Sequence, residues 1–192
     1  RTLGFAALYL AFALGGTSTT LGGNIRDLYR LSAADIAAGA ALDPMVGLPA
    51  SAADKLITGT AMAAATASFF ASQVPPGGSV FSSISDMVFT ADGDLIVGIS
   101  GFLFDSNFDF VGTIGQALLL DVTETGGDYS ATVVATLYTN DTDGAGSLAY
   151  RASDHTLWVS TNGNLYGIVV PEPATAVLAM IAIALLPRRS RR

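Results

Sequence analysis

Met87-Val88-Phe89-Thr90-Ala91-Asp92-Gly93-Asp94-Leu95-Ile96-Val97 reads as two strands around a tight turn, and this stretch decides the fold. Apolar residues flank an Asp-Gly dipeptide, the pair that supplies the positive backbone angles short hairpin turns need. Ile84 to Phe89 is therefore expected to be one strand, Thr90 to Asp94 the turn, and Leu95 to Ile99 the returning strand. The same order recurs in Leu148-Ala149-Tyr150-Arg151-Ala152-Ser153-Asp154-His155-Thr156-Leu157-Trp158-Val159, with one residue inserted in the turn. Aligning the apolar positions puts Leu95 with Leu157 and Val97 with Val159, a repeat of about 61 residues. All four are expected to be buried.

The repeat extends outward. Ala117 to Val122 follows the first hairpin as Asn164 to Ile168 follows the second, and Asp27-Leu28-Tyr29-Arg30-Leu31 looks like a further copy of that strand. An outer strand, Tyr129 to Leu137, would complete a four-stranded antiparallel unit that resembles a β-propeller blade. Blade-like units are thus expected near 84–137 and 147–169, inside a mainly β domain spanning 21–170. Propellers need at least four blades of about 40–50 residues. This body holds three at most, so the expectation is a partial or fragmentary propeller or an open stack of units, with a β-sandwich as the alternative. Before the first hairpin, Ser32-Ala33-Ala34-Asp35 reads as a turn before another strand through Ala38 to Leu42, with a capping box that opens a short helix as the alternative, and Pro44 and Pro49 break any element around them. Ser51-Ala52-Ala53-Asp54 is a candidate helix cap, Ala61 to Ala71 is alanine-rich enough to propagate a helix, and Pro75-Pro76-Gly77-Gly78 ends it.

After Val170 the chain changes character. Pro171-Glu172-Pro173-Ala174-Thr175 leads into an uncharged run from Ala174 to Leu186, and the chain closes on Pro187-Arg188-Arg189-Ser190-Arg191-Arg192. Such a run spans roughly 20 Å as a helix. A bilayer core asks for about 20 residues, so a transmembrane helix here draws on Val169 and Val170 and on arginine snorkelling. Basic residues beside a span stay cytoplasmic, which leaves everything before Pro171 on the far side. The two prolines withhold backbone donors and keep their segment extended next to the membrane.

Pro-Glu-Pro, a short apolar helix and an arginine tail together resemble the PEP-CTERM sorting signal of Gram-negative bacteria, over residues 171–192. The resemblance implies that an exosortase-type membrane protease recognises Pro171, Glu172 and Pro173 and cuts nearby. Arg188, Arg189, Arg191 and Arg192 would form the cytoplasmic basic tail. The precursor would be held only transiently in the inner membrane, and the body delivered to the cell surface or the extracellular space. At the other end, Arg1, the apolar run Leu3 to Leu14 and the small residues Ala13 and Gly15 read as a signal peptide over 1–20. The alternative is that Leu8-Tyr9-Leu10-Ala11 is a strand of a truncated repeat.

Composition narrows the chemistry. The chain has no cysteine and one histidine, and between residues 21 and 170 fifteen acidic side chains face four basic ones, a net charge of −11. Such a body repels nucleic-acid phosphates, so no nucleic-acid partner is expected. No transition-metal site is expected either, because those ions prefer imidazole and thiolate. His155 lies in the second hairpin turn with nothing in the sequence to bring a nucleophile to it, and no catalytic residue is assigned. Asp105, Asn107 and Asp109 place oxygens at alternate positions as the start of a calcium loop does, but Phe110 stands at the glycine position and Gln116 at that of the closing glutamate. Asp141 and Asp143 form a second calcium candidate with the same defect. The expected function is that of a non-catalytic exported surface or extracellular-matrix protein, with extracellular polysaccharide as a candidate partner. The alternatives are a propeller-scaffold enzyme, lactonase-like or polysaccharide-cleaving, and an uncut membrane-anchored binding protein.

Overall fold

The structure is a computed structural model that describes residues 12–14, 27–30, 54–126 and 128–171. These form ten strands and one helix: β1 (Phe12–Leu14), β2 (Asp27–Arg30), β3 (Asp54–Ile57), α1 (Gly59–Gln73), β4 (Ser79–Phe89), β5 (Leu95–Phe104), β6 (Phe110–Thr125), β7 (Asp128–Asn140), β8 (Leu148–Arg151), β9 (Thr156–Ser160) and β10 (Leu165–Val169). The protein is mainly β, and every strand pairing is antiparallel. The strands make three sheets, ordered β1-β2-β3, β4-β5-β6-β7 and β10-β9-β8, and none closes into a barrel.

The middle sheet is apolar on both faces, and that makes the arrangement layered. Alternation along β5 sends Leu95, Val97, Ile99 and Leu103 to one side, where they join Ile114, Leu118 and Leu120 of β6. Leu28, Leu56 and Ile57 of the first sheet and Met62 and Phe70 of the helix complete that core. Ile96, Ala117, Leu119 and Tyr138 point the other way and pack with Leu157 and Val159 of the third sheet. Each fully buried Leu, Ile or Val contributes about 1.5–3 kcal/mol of transfer free energy, so both interfaces stabilise the stack. Three layers result, one more than the sandwich expected as an alternative.

The helix is fixed by its start and by one face. Thr58 caps it, its hydroxyl accepting from the Ala61 amide at 3.2 Å. Asp27 of β2 accepts from the Gly59 amide at 2.8 Å and pairs with Lys55 of β3 at 2.7 Å, so its charge sits against the positive end of the helix. Met62, Thr66 and Phe70, four residues apart, are the buried stripe. Pro75 follows Val74 and ends the run.

Several boundaries differ from the sequence expectation. β4 begins at Ser79 and not at Ile84, because a bulge between Ile84 and Asp86 shifts the alternation and hides its first half. β5 continues past Ile99 to Phe104, through Ser100 and Gly101, which break the apolar pattern without breaking the strand. β6 and β7 likewise outrun the expected segments. Asp54 opens β3 and caps no helix; the cap lies four residues later. The expected four-stranded units are met in full only by the middle sheet, the other two having three strands each among the described residues.

Of the expected signal segment, Phe12–Leu14 is a strand paired with β2. The turn at Ser32 to Asp35, the strand expected through Ala38 to Leu42 and the sorting segment from Glu172 to Arg192, with its transmembrane helix, lie outside the described residues. Among the described residues no helix is long and apolar enough to cross a membrane.

Candidate functional site

Asp143 is the point where three separate segments meet. One carboxylate oxygen accepts from the Gly144 amide at 2.9 Å and the Thr113 hydroxyl of β6 at 3.4 Å, and the other accepts from the Asn162 amide in the β9–β10 turn at 2.8 Å. Burial alone would push this carboxyl up. Hydrogen bonds from Thr161, Asn162, Gly144 and Thr113 outweigh it and hold Asp143 below the usual aspartate value.

The loop that carries Asp143 lies flat on the middle sheet. Asn140 starts it, its side-chain oxygen accepting from the Thr142 amide and hydroxyl, both at 2.9 Å, and from the Asp143 amide at 3.1 Å. Ala145 is fully buried, and its carbonyl accepts from the Ser100 hydroxyl at 3.0 Å and from the Ser85 hydroxyl. A glycine is required beneath it: a Cβ on Gly115 would come within 2.1 Å of the Ala145 nitrogen. Asp86 holds the far end, accepting from the Leu148 amide at 2.7 Å.

Between this loop, the β9–β10 turn and β5 lies an open groove of about 330 Å³, with Ser100, Phe102, Thr113, Asp143, Thr161 and Asn162 among its lining. Ser100, Thr113, Ser147, Ser160 and Thr161 bring hydroxyl groups to its lining, and Phe102, 40% exposed, forms its one aromatic surface. The strand pairing puts Phe102 beside Thr113 and Phe81 on the same face of the sheet.

The first calcium candidate is a turn. Asp105 accepts from the Asn107 amide at 2.8 Å and the Asp109 amide at 3.0 Å, while its own amide donates to the Asp109 carbonyl. Asp105, Asn107 and Asp109 are thus held close along the chain, and one Asp105 oxygen is already engaged by two amides. In the second candidate Asp143 and Asn140 are engaged in the same way, and Asp141 is exposed. Among the described residues no group of three His, Asp or Glu side chains is arranged to hold a metal ion.

His155 has a positive φ of 52° in the β8–β9 turn, and its Nδ1 lies 2.8 Å from the Tyr150 hydroxyl. Its carbonyl accepts from the Val170 amide at 2.8 Å, which ties the end of β10 back to the hairpin. Arg151 and Asp154 bridge the same turn through Nε at 2.8 Å. Of the sorting motif, Pro171 is described and exposed, and it comes directly after the buried Val170.

Sequence reasoning missed the groove, whose parts come from β5, β6, the β7–β8 loop and the β9–β10 turn. Its one legible signal was Phe102, the first of the row Phe102, Phe104, Phe108 and Phe110 around an acidic turn. Comparison with protein-family models, curated proteins and solved structures finds no match.

Proposed function

We propose that this chain is a non-catalytic exported protein of a Gram-negative bacterium, acting at the cell surface or in the extracellular matrix after exosortase-type processing of its C-terminus. The observation that carries the reading is the junction between Val170 and Pro171. Val170 is buried and its amide donates to the His155 carbonyl, whereas Pro171 is exposed and opens the Pro-Glu-Pro motif. A protease acting there would find the first residue of the motif at the surface. The arginines behind the apolar run supply the orientation.

For the body we propose a run of propeller-blade-like units. Support comes from the place each matched strand takes: β2, β6 and β10 each follow a strand they pair with, and the β4–β5 and β8–β9 hairpins share one register. Met87 faces Val97 as Leu148 faces Val159, and Phe89 faces Leu95 as Tyr150 faces Leu157. Successive sheets stack face to face, as blades do.

The test is Glu172→Ala, alongside deletion of residues 188–192, in a host with an exosortase. Both variants should fold as the wild type does and fail to reach the medium. Secretion of either with the efficiency of the wild type would overturn the sorting reading.

A further inference from the structure

The face of the middle sheet that carries Ile96 is covered by the third sheet for only part of its length. Beyond the Asp143 loop the same face continues as phenylalanine. Phe81 on β4, Phe102 and Phe104 on β5 and Phe110 on β6 are cross-strand neighbours, and Phe108 folds back from the β5–β6 turn to join them. Phe108 stacks on Phe104 with centroids 4.9 Å apart, Phe81 meets Phe104 edge-on at 5.4 Å, and Phe110 meets it at 5.9 Å. Phe108 and Phe110 are nevertheless 63% and 59% exposed.

Phe108 adopts a φ of 66°, a left-handed conformation that costs a phenylalanine about 1–3 kcal/mol. The ring is nonetheless exposed, and contiguous exposed apolar surface of this kind marks an interaction site.

We propose that the Phe102–Phe110 platform and the adjoining hydroxyl-lined groove form one binding site for a neutral polysaccharide chain. Sugar rings are two-sided in chemistry. Their C–H faces stack on aromatic rings, and their hydroxyl edges add hydrogen bonds to polar groups such as the Thr113 and Thr161 hydroxyls and the Asn162 side chain beside Phe102, the Ser100 hydroxyl being buried and committed to the Ala145 carbonyl. Charge selects the neutral class: the body is strongly acidic, Asp105 and Asp109 flank Phe108, and the described lining includes Asp143 and no cation. An anionic polymer or an anionic lipid surface would be repelled there.

This inference rests on the reading of the body as an extracellular binding module, but its outcome is independent of sorting, which the tail variants measure separately. The experiment uses the full chain in mild detergent, with cellohexaose, mannan and dextran as neutral probes, polygalacturonate as the acidic one, and phosphatidylglycerol vesicles. Phe102→Ala removes the ring shared by platform and groove. Phe108→Gly removes the exposed ring and relieves its backbone strain. At least one neutral glycan should bind with a Kd below about 1 mM, weakening about tenfold or more in each variant while the melting temperature stays within a few degrees. Polygalacturonate and vesicles should not bind. Absence of neutral-glycan binding, binding unchanged in both variants, or equal retention of polygalacturonate or vesicles would overturn the proposal.

Discussion

His155 occupies in the β8–β9 hairpin the place that Gly93 holds in the β4–β5 hairpin. Each stands two residues before a fully buried leucine, Leu157 or Leu95, and each has a positive φ, 52° and 95° respectively. The inserted residue lengthens the second turn, yet the left-handed position that closes it is kept. Glycine takes that conformation freely, whereas histidine carries strain there and has the Tyr150 hydroxyl at 2.8 Å.

The common register makes the two leucines comparable. Leu95→Ala and Leu157→Ala should each destabilise the protein by about 2–5 kcal/mol, since both side chains are completely buried. Denaturant unfolding of the two variants checks this. A cost under 1 kcal/mol at either position would mean that its hairpin does not belong to the cooperative core.

Gly115→Ala tests the seat of the Asp143 loop. The new methyl would meet the backbone of Ala145, which cannot yield as a side-chain tip can, so the loop must lift. A loss of about 1–3 kcal/mol is expected, together with faster amide exchange at Gly144 and Gly146. Unchanged exchange would place the loop elsewhere.

Much of the architecture was legible in the sequence because it is local. The Asp92-Gly93 turn and the alternation around it mark the β4–β5 hairpin, and Leu157 and Val159 mark its counterpart. What hid was whatever depends on distant partners. Gly98, Ser100 and Gly115 look like strand breakers until the loop around Ala145 is laid on them. Asp143 stands out in the sequence only as a weak calcium candidate, since its hydrogen-bond donors Thr113 and Asn162 lie 30 and 19 residues away. The Phe108 ring likewise joins Phe81 and Phe104 only once β4, β5 and β6 are side by side.

The pKa values of Asp143 and Asp94 are shifted in opposite directions. Asp143 lies below its ordinary value of 3.8: burial raises it, but the hydrogen bonds from Thr161, Asn162, Gly144 and Thr113 lower it by more. Its contribution to stability is present above pH 3.8 and is lost as pH falls through the lowered folded value. Asp94 is raised, first by burial and then by repulsion from Asp121 and Asp92, against a hydrogen bond from the Val122 amide. Its contribution is present below pH 3.8 and is lost as pH rises through the raised folded value. Asp143→Asn should therefore be less stable than the wild type at neutral pH and converge with it in acid. Asp94→Asn should be more stable at neutral pH and lose that advantage in acid. Urea midpoints across the acidic range read both signs directly.

Calcium should bind weakly or not at all, in the millimolar range of extracellular modules at best, because Asp105, Asn140 and Asp143 already accept protein hydrogen bonds. Calorimetric titration with calcium, using Asp105→Ala and Asp143→Ala as controls, measures it. Micromolar affinity lost in either variant would make calcium a structural component of the protein.

The most direct test of the central claim is the intact mass of the protein recovered from the medium of a host that carries an exosortase. A C-terminus near Pro171-Glu172-Pro173, with Arg188, Arg189, Arg191 and Arg192 gone and the β8–β10 sheet intact, is the result expected. A chain that keeps its arginine tail and stays with the membrane fraction would contradict it.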